Sequence, residues 1–251
     1  MSNNRPIVLS IAGFDPSGGA GVLTDVKTFE QHQVYGLAII TGNTIQTENE
    51  FIKMEWITID FVLESMTILF NKYEIKAVKI GIVPTLEYLE QIVFQIKKLS
   101  QKAKIIWDTV LRSSTDFNFM DIENQIKLIS ILNQMDLITP NYKEILQLST
   151  KGINAETIAK NISQHCAILL KGGHNSEALG TDFLFLKDEI FTLLPETKNI
   201  FSKHGSGCAL SSAITANLAL GFDIKSSCKK AKMYIEKFLH SNNTLLGYHH
   251  D

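Results

Sequence analysis

Short apolar runs alternate along this chain with longer stretches in which apolar positions recur every three or four residues. Ile7–Ala12, Gly36–Ile40, Ala77–Ile82, Ile105–Trp107, Leu137–Ile138 and Ala167–Leu170 read as buried strands. Between them Ala20–His32, Ile59–Phe70, Thr85–Leu99, Asp121–Asn133 and Ala155–Gln164 carry helical periodicity. Such alternation predicts a parallel sheet with helices on both faces. The pattern then changes: Thr181–Leu186 and Glu189–Leu194, joined by Lys187-Asp188, predict an antiparallel hairpin at one edge. Two helices follow, Ala209–Leu220 and Ile224–His240. Thr44–Trp56 fits neither period; its polar character and its place after a strand suit a flap over a site. No repeat, low-complexity segment or linker divides residues 1–251, which predicts one α/β domain.

In open parallel sheets ligands bind outside the carboxyl ends of the strands, and the polar, glycine-rich clusters of this chain fall at those ends. Gly205-Ser206-Gly207-Cys208 opens a helix, so it presents first-turn N–H groups at the positive end of the helix dipole, an arrangement suited to phosphate. Such a location lowers a cysteine pKa, which makes Cys208 a candidate thiolate; a buried cysteine behind a small-residue cap is the plain alternative. Gly13 to Gly21 is the second such loop. It has a P-loop's glycine spacing, but Gly19 stands where the lysine belongs, and it lacks the dinucleotide fingerprint.

Asp25, just inside the following helix, faces the same ligand or complements the helix dipole. Asp108 ends the fourth strand, as a Mg²⁺ or base candidate or as a turn cap. Asn141 and Glu144 have the spacing of a capping box, which would explain both. Lys171-Gly172-Gly173 ends the sixth strand and suits a phosphate or a solvated turn. Two anion-suited loops, a lysine and two carboxylates on one sheet edge together fit phosphoryl transfer, which needs positioning and charge neutralisation more than covalent chemistry.

Composition narrows the partners. A formal charge of −2 carries no basic excess and argues against nucleic acid. No apolar run is long enough to span a bilayer, and the first residues lack a signal peptide's apolar region. The three cysteines (Cys166, Cys208, Cys228) are far apart, which argues against a disulfide framework and for a reducing cytoplasm.

Gly13-x-Asp15-Pro-Ser-Gly-Gly-Ala-Gly21, Asp25-x-Lys27-Thr28-Phe29, Lys79-Ile-Gly81, Thr139-Pro-Asn141-x-x-Glu144, Lys171-Gly-Gly-His174 and His204-Gly-Ser-Gly-Cys208 resemble the hydroxymethylpyrimidine/phosphomethylpyrimidine kinases of thiamine diphosphate synthesis. These motifs occur in order over nearly the whole chain. The resemblance implies a ribokinase-like three-layer α/β/α sandwich with a mostly parallel central sheet and an antiparallel edge hairpin. It implies ATP-dependent phosphorylation of 4-amino-5-hydroxymethyl-2-methylpyrimidine and then of its monophosphate.

By position, the resemblance assigns the pyrimidine to Gly13, Asp25, Gln46, Ile82 and Val110, and the ATP phosphates to Asn141, Lys171 and Gly173. Asp108 and Glu144 would organise Mg²⁺ through waters, and Gly205, Ser206, Gly207 and Cys208 would cradle the transferring phosphoryl group. A homodimer is implied by resemblance alone.

Ser206 stands where the family has threonine, Ile82 where methionine is common, and the loop Arg112–Asp116 departs from the family pattern. A pyridoxal kinase is the nearest rival; Gln46 favours the pyrimidine, because an amide can complement an aminopyrimidine edge. A non-catalytic pyrimidine sensor is the rival of another class, and would be expected to have lost the anion loop or the carboxylates.

Overall fold

The computed structural model describes residues 5–113, 117–122, 124–149, 154–174, 179–196 and 201–249. Six parallel strands form the centre of the sheet: β1 (Ile7–Phe14), β2 (Tyr35–Gln46), β4 (Ile75–Ile80), β5 (Lys104–Trp107), β6 (Leu137–Ile138) and β7 (Ala167–Leu170). Antiparallel strands extend both edges. β3 (Phe51–Trp56) pairs with the far half of β2, and β8 (Asp182–Leu186) with β9 (Glu189–Leu193) forms the expected hairpin beside β7. The spatial order is β3-β2-β1-β4-β5-β6-β7-β8-β9. The chain therefore leaves β1 in one direction and returns on its other side with β4, which opens a crevice at the end of β1.

Strand pleating sorts the apolar side chains into two cores. Leu9, Ile11, Val78, Ile80, Ile105, Trp107, Ile138, Ile168 and Leu170 point to one face. There they meet α2 (Ile59–Lys72), α3 (Leu86–Leu99), α4 (Gln125–Leu132), α5 (Tyr142–Gln147) and α6 (Ala155–Ile162). Val8, Ala77, Ile106, Leu137, Ala167 and Leu169 point to the other face, against α1 (Gly21–Gln31), α7 (Ser206–Ala219) and α8 (Ile224–His240). α7 is buried continuously from Ala209 to Leu218, which its many small residues permit by letting neighbours approach on every side. Among the described residues no helix is long and apolar enough to cross a membrane.

Besides shifts of a few residues at element ends, three features differ from the pattern-based expectation. The helix expected over Asp121–Asn133 starts at Gln125, because the Asn124 side chain caps it by accepting from the Lys127 N–H. Tyr142–Gln147 is a short helix that apolar periodicity did not reveal, although Asn141 and Glu144 form the complete capping box at its start. Thr44–Trp56 is the distal half of a β-hairpin. It projects past Phe14, the last residue of β1, and turns where the Thr47 N–H donates to the Glu50 carbonyl.

Candidate active site

The two glycine loops meet at the carboxyl edge of the sheet. Gly205 caps α7 in the left-handed conformation, φ 70°, and a Cβ there would run into the carbonyl oxygen of Gly19. Asp15 locks the contact: its carboxylate accepts from the N–H and Oγ of Ser17 (2.9 Å each), from the Ala20 N–H (2.8 Å) and from His204 Nε2 (2.9 Å). Burial pushes the Asp15 carboxyl up, but the His204 and Ser17 hydrogen bonds hold it below the usual carboxylate range. On the outer side, Leu246 and the His204 ring lie against Gly19, and the Leu245 carbonyl accepts from the His204 N–H.

Beneath this junction lie two buried lysine–aspartate pairs. Lys79 Nζ sits 2.6 Å from Asp25 Oδ1, with both side chains wholly inaccessible. Ser212 Oγ donates to the same oxygen at 2.6 Å and Ser10 Oγ to Oδ2 at 2.5 Å. Asp25 is thus sealed inside the protein with both oxygens occupied, beneath the place where direct contact with a substrate was expected.

In the second pair, Lys171 Nζ donates to Asp108 Oδ1 at 3.0 Å and lies 3.9 Å from Glu144 Oε2. Thr139 Oγ1 donates to Asp108 Oδ1 and Ser211 Oγ to Oδ2. Burial would raise the Asp108 pKa, but the charges of Lys171 and Lys79, with hydrogen bonds from Lys171 and Thr139, lower it. Lys79 and Lys171 are both held above the ordinary lysine range: their carboxylate partners outweigh the burial that works the other way.

Lys171 reaches the start of α7. A Cβ on Gly207 would lie 3.3 Å from Lys171 Nζ, so the ammonium faces the helix end that carries the first-turn N–H groups. Gly173 has open space around its missing side chain, whereas a Cβ on Gly172 would collide with the Thr181 backbone. The structural requirement for glycine in this turn therefore belongs to Gly172. The side chain of His174 lies outside the described residues.

Cys208 differs from the sequence expectation. Burial pushes its thiol up to about 11; Lys79 and a hydrogen bond from the Gly21 N–H pull the other way but do not compensate. The helix dipole alone does not make a thiolate here. Glu144 is likewise raised, to about 6, by burial and by Asp108, against Lys171 and the hydrogen bonds from Asn141 and Thr109. The Asn141 side-chain oxygen accepts from the Lys143 and Glu144 N–H groups at 2.8 and 2.9 Å, so it is committed to the helix cap.

On the other side of the crevice, Ile82 packs over Gly13, and Val110 follows Asp108 half-buried. Gln46 Nε2 donates to Thr44 Oγ1, which donates to the Phe14 carbonyl. The hairpin is pinned to the loop after β5 by aromatic rings. Phe51 stacks on Phe117 at 4.5 Å and meets Phe119 edge-on at 5.6 Å. Of the loop that departs from the family pattern, residues 114–116 lie outside the described residues.

Asp108 and Glu144 supply hard oxygen donors, but both Asp108 oxygens are engaged within the protein. Among the described residues no group of three or more metal-binding side chains occurs. This donor set suits Mg²⁺ held through its own waters, as that ion prefers, rather than by direct coordination.

Sequence reasoning missed Ser10, Ser211 and Ser212. Each is a hydroxyl in an otherwise apolar run, and that was the available signal: a buried serine needs a partner.

A mostly parallel sheet with helices on both faces, and a helix N-terminus facing a lysine–carboxylate pair, define the ribokinase-like class of small-molecule kinases. The family model described as phosphomethylpyrimidine kinase matches residues 15–251, and the chain belongs to that family. It is similar to a hydroxymethylpyrimidine/phosphomethylpyrimidine kinase of Aquifex aeolicus (strain VF5), 32% identical over 95% of this chain and 96% of that one. Among solved structures, phosphomethylpyrimidine kinase from Clostridium difficile 630 superposes with a TM-score of 0.77 at 30% identity, covering 92% of this chain and 98% of that one. A Bacillus subtilis pyridoxal kinase, solved as an ADP complex, gives 0.78 at 27% identity over 92% and 90% of the two chains.

Proposed function

We propose that this protein transfers the γ-phosphoryl group of ATP to the hydroxymethyl oxygen of 4-amino-5-hydroxymethyl-2-methylpyrimidine, and then a second phosphoryl group to the monophosphate so formed, in thiamine diphosphate synthesis. The observation that carries this reading is the meeting of the α7 N-terminus with Lys171 and Asp108 at the carboxyl edge of the sheet. It supplies fixed positive potential where a phosphoryl group would pass, beside a crevice lined by Gly13, Ile82, Val110 and Gln46.

The substrate oxygen attacks the γ-phosphorus, the bond to the β–γ bridging oxygen breaks towards ADP, and the hydroxyl proton passes to water. The N–H groups of Gly207 and Cys208 hold the equatorial oxygens, the Ser206 N–H being turned to the Lys203 carbonyl, and Lys171 neutralises charge on the ATP phosphates. Gly173 completes the phosphate side through its backbone, while Asn141, whose N–H donates to Glu144 Oε2, serves by holding Glu144 in place. Asp108 and Glu144 would hold Mg²⁺ through its waters, and the ion would there supply further charge neutralisation. The Cys208 sulfur accepts the departing proton only as a thiolate, so its share in proton transfer grows with pH, whereas its N–H serves at any pH.

Asp25 acts from beneath, by fixing Lys79 and α7, and the β2–β3 hairpin serves as the flap over the pyrimidine. One domain, a homodimer and residence in the cytoplasm belong to the same reading. Sedimentation velocity tests the dimer: a single species of monomer mass would remove it.

The similarity to the Bacillus subtilis pyridoxal kinase favours pyridoxal as the second candidate substrate. Coupled ATP turnover with the pyrimidine alcohol, its monophosphate and pyridoxal, side by side, separates the readings. Turnover of both pyrimidines is expected, and turnover of pyridoxal alone would overturn the proposal.

A further inference from the structure

A third buried charge cluster lies outside the site, between α8 and the start of β8. Lys232 Nζ donates to Asp182 Oδ2 at 2.8 Å and to the Gly180 carbonyl at 2.6 Å, and lies 3.8 Å from Glu236 Oε1. All three side chains are nearly inaccessible. Each carboxylate also accepts from the backbone of a separate carboxyl-edge loop. Asp182 Oδ1 takes the Gly172 N–H at 2.8 Å, and Glu236 takes the Glu196 N–H at 3.0 and 3.2 Å. One lysine therefore joins two carboxylates that hold two different loops.

The first of these loops carries Lys171. Its preceding peptide is fixed because the Lys171 N–H donates to the Pro140 carbonyl at 2.8 Å. Its following peptide is fixed by Asp182 through the Gly172 N–H, and the Gly172 carbonyl accepts from the Gly180 N–H. The backbone on both sides of Lys171 is thus clamped, and the second clamp ends on Lys232. Buried ion clusters generally stabilise a fold no better than apolar residues of similar volume would. What this one supplies is direction: it orients the peptide that determines where the Lys171 side chain sets out.

We propose that Asp182 and Lys232 are positioning residues for nucleotide binding, acting through the Gly172 peptide on Lys171. The inference rests on the reading that the Lys171 turn faces the ATP phosphates. Calorimetric titration of MgADP into the wild type, D182A and D182N, with steady-state KM values for ATP and for the pyrimidine alcohol, tests it.

D182A is expected to weaken MgADP binding about tenfold and to raise the KM for ATP by a similar factor, with the KM for the pyrimidine changed less than about twofold. D182N keeps an oxygen for the Gly172 N–H and is expected to recover most of the loss. A folded D182A with unchanged nucleotide affinity, or one in which both KM values rise together, would overturn the proposal.

If D182A does not fold, K232R and K232Q decide. The arginine is expected to keep MgADP affinity and the glutamine to lose about tenfold; equal affinities in the two would overturn the proposal. Failure of the wild type to bind MgADP would sink the kinase reading itself, an outcome distinct from failure of the positioning role.

Discussion

Lys79–Asp25 and Lys171–Asp108 are the same chemical pair in two surroundings, both tied to one turn of α7. In the first pair both side chains have no accessible surface; in the second, Lys171 keeps 12% of its own while Asp108 has none. The first pair is closed by serines from β1 and α7, Ser10 and Ser212. The second is partnered by Thr139 and Ser211 and faces the helix end. A sealed pair can only hold elements together, whereas a pair with one accessible member can hand its charge to a ligand. Ser211 and Ser212, adjacent on α7, tie the same turn of that helix to both aspartates.

The comparison breaks most sharply at Lys79. K79M would leave Asp25 charged and buried without its partner, at a cost of about 4 kcal/mol. Denaturant unfolding measures this, and K79M/D25N is expected to recover most of it; a stable K79M would show that the pair holds nothing together.

K171M is expected to do the reverse. It should lose about a hundredfold or more in kcat/KM for ATP, about 3 kcal/mol of transition-state stabilisation, with a smaller loss of folding stability. A variant that loses stability but keeps kcat/KM would make Lys171 a second Lys79.

C208A sharpens the helix-end part of the comparison, with an expected fall in kcat of about tenfold and MgADP binding within about twofold. Because burial holds the thiol near 11, iodoacetamide should modify Cys208 slowly at pH 8 and faster towards pH 11. A rate profile with a midpoint below 8 would refute the burial argument.

E144Q has the smallest expected effect, and on stability its sign is favourable. The folded-state pKa of about 6 lies above the usual glutamate value, so between those values the native state binds more protons than the unfolded one. Stability contributed by protonated Glu144 is then fully present below the unfolded pKa and is lost as pH rises through about 6. E144Q, which stays neutral, should be more stable than the wild type at pH 8 by about 1 kcal/mol, while its turnover falls if Glu144 organises Mg²⁺. Equal stability at pH 8 would mean that the buried charge is fully compensated.

Much of the fold was legible because its central strands β1, β4, β5 and β7 are short, apolar and buried almost throughout, so that each stands out against the amphipathic helices. The edge hairpin at Lys187-Asp188 was equally plain. Its counterpart at Thr44–Trp56 was not, because a hairpin at the sheet edge that projects past its neighbour loses the buried face that gives alternation its contrast. The tips of the site were visible for a chemical reason: glycine clusters at strand ends exceed what turns require. The floor of the site was not, since Ser10, Ser211 and Ser212 show only as hydroxyls within apolar runs and nothing local says which carboxylate each one meets.

The sequence by itself determined the strand–helix alternation, the family motifs and the residue types gathered at the carboxyl edge, because local periodicity and motif spacing are properties of neighbouring residues. Tertiary structure alone decided which of two lysine–aspartate pairs is sealed, that Gly205 packs on Gly19 and that Gly172 is the constrained glycine of its turn. It also turned the Cys208 pKa upward against the helix-dipole expectation. Accessibility and electrostatics depend on whatever lies within a few ångströms in space, and no local pattern carries that information before the chain has closed. Asp25 and Ser212 are the plainest instance: 187 positions apart in sequence, they are hydrogen-bonded at 2.6 Å.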